Sequence, residues 1–458
     1  METFKKSLCL AVVMLMVISV VACGSQPAES TSSTVAASSV TSSASDSSKL
    51  EDITLNVDFM FNMTEGTTDA KGIAVAKSIE RMKVDHPNIT VEMNTVSHDD
   101  YQTSLLTLAA SNSLPDVFNI KGSWLKNFVT NKQVGSLDEY LKNDPDWKSQ
   151  FIPDALNDVT YQGSIYGAPF QMLTCGNIFY NKAIFAEAGY SEFPKTWDEY
   201  IDCLTKIKGL GYTPISMGNK GLWVANSCYF GTLGDRTATD SWFKGIMANS
   251  GAKFTDPDIL LAVEKLQQLE KIGAFNTDMN SIDNAQQRKS YYNGKSASFF
   301  EGNWAISDMI VNCPKEVLDN TEIALLPTIP GSKGAGDRVA GGSAWGNAYA
   351  ASLEGAKRDA AVLFLKYTTD NTYGADLLDA GDFPGVKVAD YDLSKLNPFV
   401  NKYYNLRNTW TMAPQFDCQF DTSVIDAMNV GFQNILTNQI TPKQWGESVQ
   451  AEYEKSVN

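Results

Sequence analysis

Apolar and polar positions alternate at Ile53, Leu55, Val57 and Phe59, which predicts a half-buried strand. The chain then turns polar at Asn62-Met63-Thr64-Glu65-Gly66. From about Asp69 the period changes. Ile73, Ala76, Ile79 and Met82 recur every three residues, a helix that His86-Pro87-Asn88 closes. Ile89, Val91 and Met93 alternate again. A second helix is expected over about 99–110 with Leu105, Leu108 and Ala109 inward, and 115–120 reads as a short buried strand. Strand, helix, strand, helix, strand is the signature of a parallel sheet with helices on both faces. Such sheets bind ligands at the loops beyond the carboxyl ends of their strands. That rule singles out the loop of Asn62 and Glu65, and the stretch Lys121-Gly122-Ser123-Trp124.

Residues 165–216 carry the sharpest punctuation. Phe179-Tyr180-Asn181-Lys182 predicts an apolar strand turning into a helix through Ala183, Phe185, Ala186 and Ala188, which Gly189 ends in the left-handed conformation. Pro194 leads to Thr196-Trp197-Asp198-Glu199, where Thr196 and Glu199 form a capping box and satisfy free amides at a helix start. Trp197, Ile201, Leu204 and Ile207 give that helix one apolar face, and Gly209 and Gly211 stop it. Further helices are expected over 240–248, 259–273, 357–369, 423–436 and 441–457, and strands over 297–300 and 324–330.

The pattern YGAP, YNK, AGY and PKTWDEY resembles the carbohydrate branch of the extracytoplasmic solute-binding proteins of ABC importers, the maltose-binding-protein-like family. Two further stretches extend the likeness: Leu106 to Ile120, with its Pro-Asp-Val strand, and Tyr291 to Ile306, a short strand leading to Gly302-Asn303-Trp304. The resemblance covers about residues 53–457 and is loose outside these motifs. It implies an α/β, two-lobed type II periplasmic-binding-protein fold. Each lobe is a βα sheet flanked by helices, and the hinge has two or three crossings. Lobe 1 is expected to comprise 51–168 and 343–373, and lobe 2 to comprise 169–342 and 374–458.

By that resemblance the ligand contacts fall at definite places. Lys121, Ser123 and Trp124 follow the third strand, with a core position on a helix face as the plainer reading of Trp124. Gln171 and Met172 lie at the crossing. Trp223 and Asn226 belong to a polar, glycine-rich and aromatic segment, 218–226. Glu301 and Asn303 occupy the loop expected at the end of the strand, and in relatives the tryptophan matching Trp304 stacks on a sugar ring. The chemistry agrees, since a rigid indole buries large area against the apolar face of a pyranose. Trp345, after Gly341-Gly342-Ser343-Ala344, would either lie over the ligand or follow a hinge whose glycines permit close backbone approach. Glu65 and Asp417 would either bind hydroxyls or pair with a lysine.

Composition changes the picture mainly at the amino end. Lys5 and Lys6 precede an apolar run, 8–21, too short for a membrane span, and Val20-Val21-Ala22-Cys23-Gly24 resembles a bacterial lipobox, with Cys23 as the lipidated residue. An ordinary signal with an incidental cysteine is the alternative. Residues 24–50, almost all Ser, Thr, Ala and Val, cannot bury enough surface to order themselves and read as a tether of roughly 27–31 Å r.m.s. span. The formal net charge of −16 becomes −17 once residues 1–23, with Glu2, Lys5 and Lys6, are removed. Scattered lysines on so acidic a chain offer no stripe for nucleic acid, and an anionic substrate gains nothing from the global charge.

Beyond Cys9 and Cys23, five cysteines at irregular spacings predict no disulfide framework, with at least one thiol free. His86 and His98, the two histidines, are read as surface or capping residues, and no metal or cofactor is implied. The expected function is a monomeric receptor that captures a sugar or oligosaccharide by hinge closure. It would be held to the outer face of the membrane by its lipid and would deliver its cargo to the transmembrane subunits of an ABC permease. The alternatives are a tethered surface glycoside hydrolase, which needs two carboxylates about 5–9.5 Å apart across a cleft, and a carbohydrate sensor or adhesin on the same fold.

Overall fold

The structure is a computed structural model in which residues 51–457 are described. The signal segment, Cys23 and the Ser/Thr-rich stretch lie outside the described residues. Residues 50–458 make up one compact unit, and it is built around two sheets.

The first sheet has the strand order Trp345–Tyr349, Val117–Lys121, Ile53–Phe59, Ile89–Thr95. The last three are parallel, as the βαβ pattern predicts, with Ile53 opposite Ile89 and Val57 opposite Val117. Trp345–Tyr349 joins the edge antiparallel, which sets Trp345 directly beside Lys121. The connecting helices are Ala70–Asp85, capped by Asp69, and His98–Ala110, capped by Ser97. Both start within a residue of their expected places.

In the second sheet, Asn177–Asn181 is the central strand and runs antiparallel to Ser298–Glu301 and Thr321–Ala324. The expected punctuation is present here. Gly189 has φ +92°, and Thr196 and Glu199 close their capping box ahead of helix Trp197–Gly209. Trp197, Leu204 and Ile207 of that helix are fully buried.

Two expectations need correction. The strand foreseen over 324–330 ends at Ala324, because Pro327 and Pro330 carry no N–H for a ladder. Glu301 belongs to the strand, opposite Asn177, and not to the loop beyond it. The polar, glycine-rich segment 218–226 runs at Ala225–Phe230 into a π-helical turn with all six residues buried. Such wide turns recur at functional sites.

Two neighbouring spans join the halves. Leu173–Cys175 pairs antiparallel with Arg338–Gly342, which also takes Thr411–Pro414 as a parallel neighbour. Gly342 can be nothing larger: its φ is +157°, and a Cβ there would fall 2.3 Å from an Asp158 carboxylate oxygen. That carboxylate also accepts the Ala344 amide at 2.8 Å and so holds Ala344 at a φ of +58°. The turn that returns the chain to the first sheet is therefore built around one buried acid. A third span, 382–386, runs alongside, with the Phe383 carbonyl accepting the Met172 amide.

Cys175, Cys203, Cys228, Cys313 and Cys418 are all free and buried. Cys175 and Cys228 approach within 3.5 Å, and burial raises both the Cys175 and Cys418 thiols well above their ordinary value. Since the thiolate is the reactive form, a protein beginning at Ser48 should be inert to a thiol reagent while folded. All five thiols should react in guanidinium. An absorbance titration of released thionitrobenzoate counts them in either state.

Candidate ligand-binding site

A cavity of about 400 Å³ lies where the carboxyl ends of the first sheet face the second half. The first sheet contributes Met60, Phe61 and Asn62 after Ile53–Phe59, His98 at the start of the second helix, Lys121 at a strand end and Trp345. The far side contributes Trp223, Asn284, Arg288, Trp304 and Asp308, and the joining spans contribute Gln171, Gln415 and Asp417.

Its apolar surface is a row of rings. Trp304 and Trp223 have centroids 6.0 Å apart, His98 meets Trp223 at 5.2 Å and Trp345 at 5.9 Å, and Trp345 rests edge-on against Trp124 at 5.1 Å. Gly302 makes the Trp304 position possible, because a Cβ there would lie 2.0 Å from the indole. His98 is exposed at a helix start, as expected of a surface histidine, and it also lies inside the row and lines the cavity.

Lys71, Lys121, Arg288, Asp308 and Asp417 in the wall are each paired, and Asp69 accepts the backbone amides of Asn62, Lys71 and Gly72. The Lys71 ammonium lies 2.7 Å from Asp382, which is fully buried. The Lys121 ammonium lies 2.8 Å from Asp417 and 5.7 Å above the Trp345 ring. Arg288 donates to Glu301 and to Asp308. Burial pushes the Asp417 carboxyl up, but the Lys121 charge together with hydrogen bonds from Lys121, Ser227 and Gln415 outweighs it and leaves the group below the usual carboxylate range. At Asp308, burial is likewise outweighed by the Arg288 charge acting with hydrogen bonds from Tyr292, Asn312 and Thr68. Glu301, wholly buried, is raised by that burial despite Arg288. Among the described residues no group of three His, Cys, Asp or Glu side chains could hold a metal ion, and no helix is long and apolar enough to cross a membrane.

Seven of the residues singled out from the sequence line the cavity: Asn62, Lys121, Gln171, Trp223, Trp304, Trp345 and Asp417. Six stand elsewhere. Glu65 is exposed on the loop. Trp124 is a buried neighbour of Tyr101 and Trp345. Ser123 is buried beside it. Asn226 turns inward and donates to Asn429 at 2.9 Å. Glu301 accepts the Trp304 indole N–H at 2.9 Å. Asn303 holds the joining span, accepting the Thr174 amide and donating to Asp382.

Sequence reasoning missed Lys71, Arg288 and Asp308, which also line the cavity. Arg288 lies in helix Asn284–Tyr292, whose polar run NAQQRK resembles any solvated face.

Residues 66–375, more than half the chain, match the family of bacterial extracellular solute-binding proteins, and the chain belongs to that family. The family is extracytoplasmic. An uncharacterised ABC transporter extracellular-binding protein of Pyrococcus horikoshii is 27% identical over 57% of this chain and 57% of its own. The diacetylchitobiose-binding protein DasA of Streptomyces coelicolor is 25% identical over 61% of this chain and 62% of its own. The chain thus spans somewhat over half the length of these relatives. A solved structure from work on xylan utilisation by Caldanaerobius polysaccharolyticus superposes with a TM-score of 0.78 at 26% identity, covering 87% of this chain and 99% of that one. A maltose-bound T. maritima protein superposes with a TM-score of 0.71 at 18% identity, covering 88% of this chain and 100% of that one, and the two-lobed α/β fold is common to both structures and to this chain.

The Lys121–Asp417 pair is open to direct test. Asp417→Asn strands a largely buried ammonium and should destabilise the protein by about 3 kcal/mol in urea titrations near neutral pH. The Asp417 share of stability, from a depressed carboxyl, is complete above about pH 4 and fades as pH falls further. The substitution's cost should therefore shrink on acidification. An undiminished cost at low pH would contradict the pairing.

Proposed function

We propose that this protein is the ligand-capturing receptor of an ABC importer. It takes a sugar or oligosaccharide between its lobes and delivers it to the transmembrane permease subunits. The observation that carries the reading is the row of Trp304, Trp223, His98 and Trp345 facing fixed polar groups in one cavity. Rings of this kind suit the apolar faces of pyranoses.

The polar groups suit hydroxyls. Lys71 and Lys121 each spend one of three donors on a carboxylate, so the others remain for oxygens of an uncharged solute. Neither Asp308 nor Asp417 has the raised pKa a general acid needs, which supports capture without transformation. The names that relatives carry, among them a multiple sugar-binding protein and a diacetylchitobiose-binding protein, point the same way.

In this reading lobe 1 comprises 51–168 and 343–373, lobe 2 the remainder to 458, and the spans around 173 and 342 are the hinge. Closure follows a shift between two pre-existing arrangements. The ligand contacts are Trp304, Trp223, Trp345, Asn62, Gln171 and Asp417. Cys23 carries the lipid, and the monomer is tethered outside the membrane by 24–50.

The protein from Ser48 onward should gain thermal stability with one member of a panel containing diacetylchitobiose, xylo-oligosaccharides and malto-oligosaccharides. At a hundredfold excess over Kd the gain is about 2.7 kcal/mol. Trp304→Ala should weaken that binding by about thirtyfold, equivalent to about 2 kcal/mol. Mass spectrometry of each mixture should find the sugar intact. Product formation would overturn the receptor reading in favour of a hydrolase.

A further inference from the structure

Buried charge is expensive unless it is paired, and pairing alone would be satisfied by any arrangement of neighbours. Behind Trp304 the arrangement is more specific than that. The Trp304 indole N–H donates to Glu301 Oε1 at 2.9 Å, and Arg288 Nη1 donates to the same oxygen. Arg288 Nε donates at 3.0 Å to Asp308 Oδ2. Asp308 Oδ1 accepts the Thr68 hydroxyl at 3.2 Å. Thr68 belongs to the loop after the first strand of the opposite half, so the chain of bonds starts at a ring in the cavity and ends across it.

The intermediate groups have little freedom. Glu301 is fully buried and also accepts from Asn284 at 2.8 Å, and Asp308 also accepts from the Tyr292 hydroxyl at 2.7 Å. The neighbouring ring is tied over in a shorter way. Trp223 Nε1 donates at 3.0 Å to Asp99, which starts a helix of the first half, and Gly221 packs so close to that carboxylate that a Cβ would fall 2.6 Å from it.

We propose that Glu301, Arg288 and Asp308 are positioning residues. They fix the Trp304 ring and, through Thr68, link its orientation to the closing of the cavity. The inference rests on the reading of this cavity as one that closes on a ligand. Charge neutralisation alone would require neither the indole on the shared oxygen nor the hydroxyl from the far side. With the ladder in place, the aromatic surface is complete only when the two halves are together.

The test uses the 15N-labelled protein from Ser48 onward, without ligand, and reads the indole N–H of Trp304 by NMR. Thr68→Val removes the crossing hydroxyl and leaves the buried charges alone. It should shift that resonance and speed its hydrogen exchange severalfold, and Thr68→Ser should restore wild-type behaviour. In an Asp308→Ala background the same Thr68→Val change should be silent at Trp304, because the ladder is already cut. Arg288→Met serves as the background if the Asp308 variant does not fold. An unmoved Trp304 signal in Thr68→Val, or an equal shift in the cut background, would overturn the ladder.

The sugar panel is a separate arm. A protein that shows the coupling but is stabilised by no sugar keeps the ladder and loses the carbohydrate reading. One that binds a xylo-oligosaccharide while Trp304 ignores Thr68 keeps the receptor and loses the ladder.

Discussion

A buried charge in a cavity wall must find its counterion inside the protein, because too little water is present to solvate it. In this fold that requirement joins parts of the chain that sequence separates widely. Lys71 reaches Asp382, Lys121 reaches Asp417, and Arg288 lies between Glu301 and Asp308. The first two pairs span some three hundred residues of sequence. They bring the joining spans and the late part of the chain against the carboxyl ends of the first sheet, where Lys121 ends its strand and Trp345 sits beside it. The aromatic row rests on this frame. Lys121 lies over the face of the Trp345 ring, and Glu301 holds the Trp304 indole.

The joining spans obey a second constraint of the same kind. Asp158 is buried at the turn through 342–344 and accepts the Ala344 amide, and burial raises its carboxyl despite that bond. A buried acid holding a left-handed alanine beside an obligatory glycine fixes the path of the chain as it returns to the first sheet. Gln419 also donates to Asp158, so the turn, the first half and the late segment meet on one side chain.

Much of the fold could be read in the sequence because its signals are local. Alternation gave the strands of the first sheet, and the Thr196–Glu199 box and Gly189 set helix ends to the residue. The two prolines that end the third strand of the second sheet were equally visible, and were outweighed by the apolar run around them. The site was readable where residue type carries its own chemistry. A tryptophan after Gly-Asn at a strand end is conspicuous, and Trp304, Trp223 and Trp345 all line the cavity. Arg288, Asp308 and Lys71 were not legible, because what distinguishes them is a partner far away in sequence and a wall that only the fold creates. His98 shows the same limit. Nothing in Ser97-His98-Asp99 announces two tryptophans that arrive from residues 223 and 345. Glu301 and Asn303 were found by position but contact the protein itself: the strand packs the Glu301 carboxylate inward, and the turn that follows sets Asn303 against the joining span.

Global charge and local charge part company here, and the difference bears on what the cavity can hold. The chain carries a formal net charge of −16, yet each cation in the cavity wall is held by its own acid: Lys71 by Asp382, Lys121 by Asp417, and Arg288 by Glu301 and Asp308. Exposed acids such as Glu139 and Glu192 favour solubility and repel other acidic surfaces. Inside, the paired charges present donors and acceptors in fixed directions. An ion entering would need to break one of these pairs to find a partner, and the energy of a buried pair opposes that. An uncharged polyhydroxylated solute needs to break none: its hydroxyls add to donors already pointed, and its apolar face lies on rings already held. Pre-organisation of this kind lowers the ordering cost of binding, and the same paired charges that keep the wall stable are what provide it.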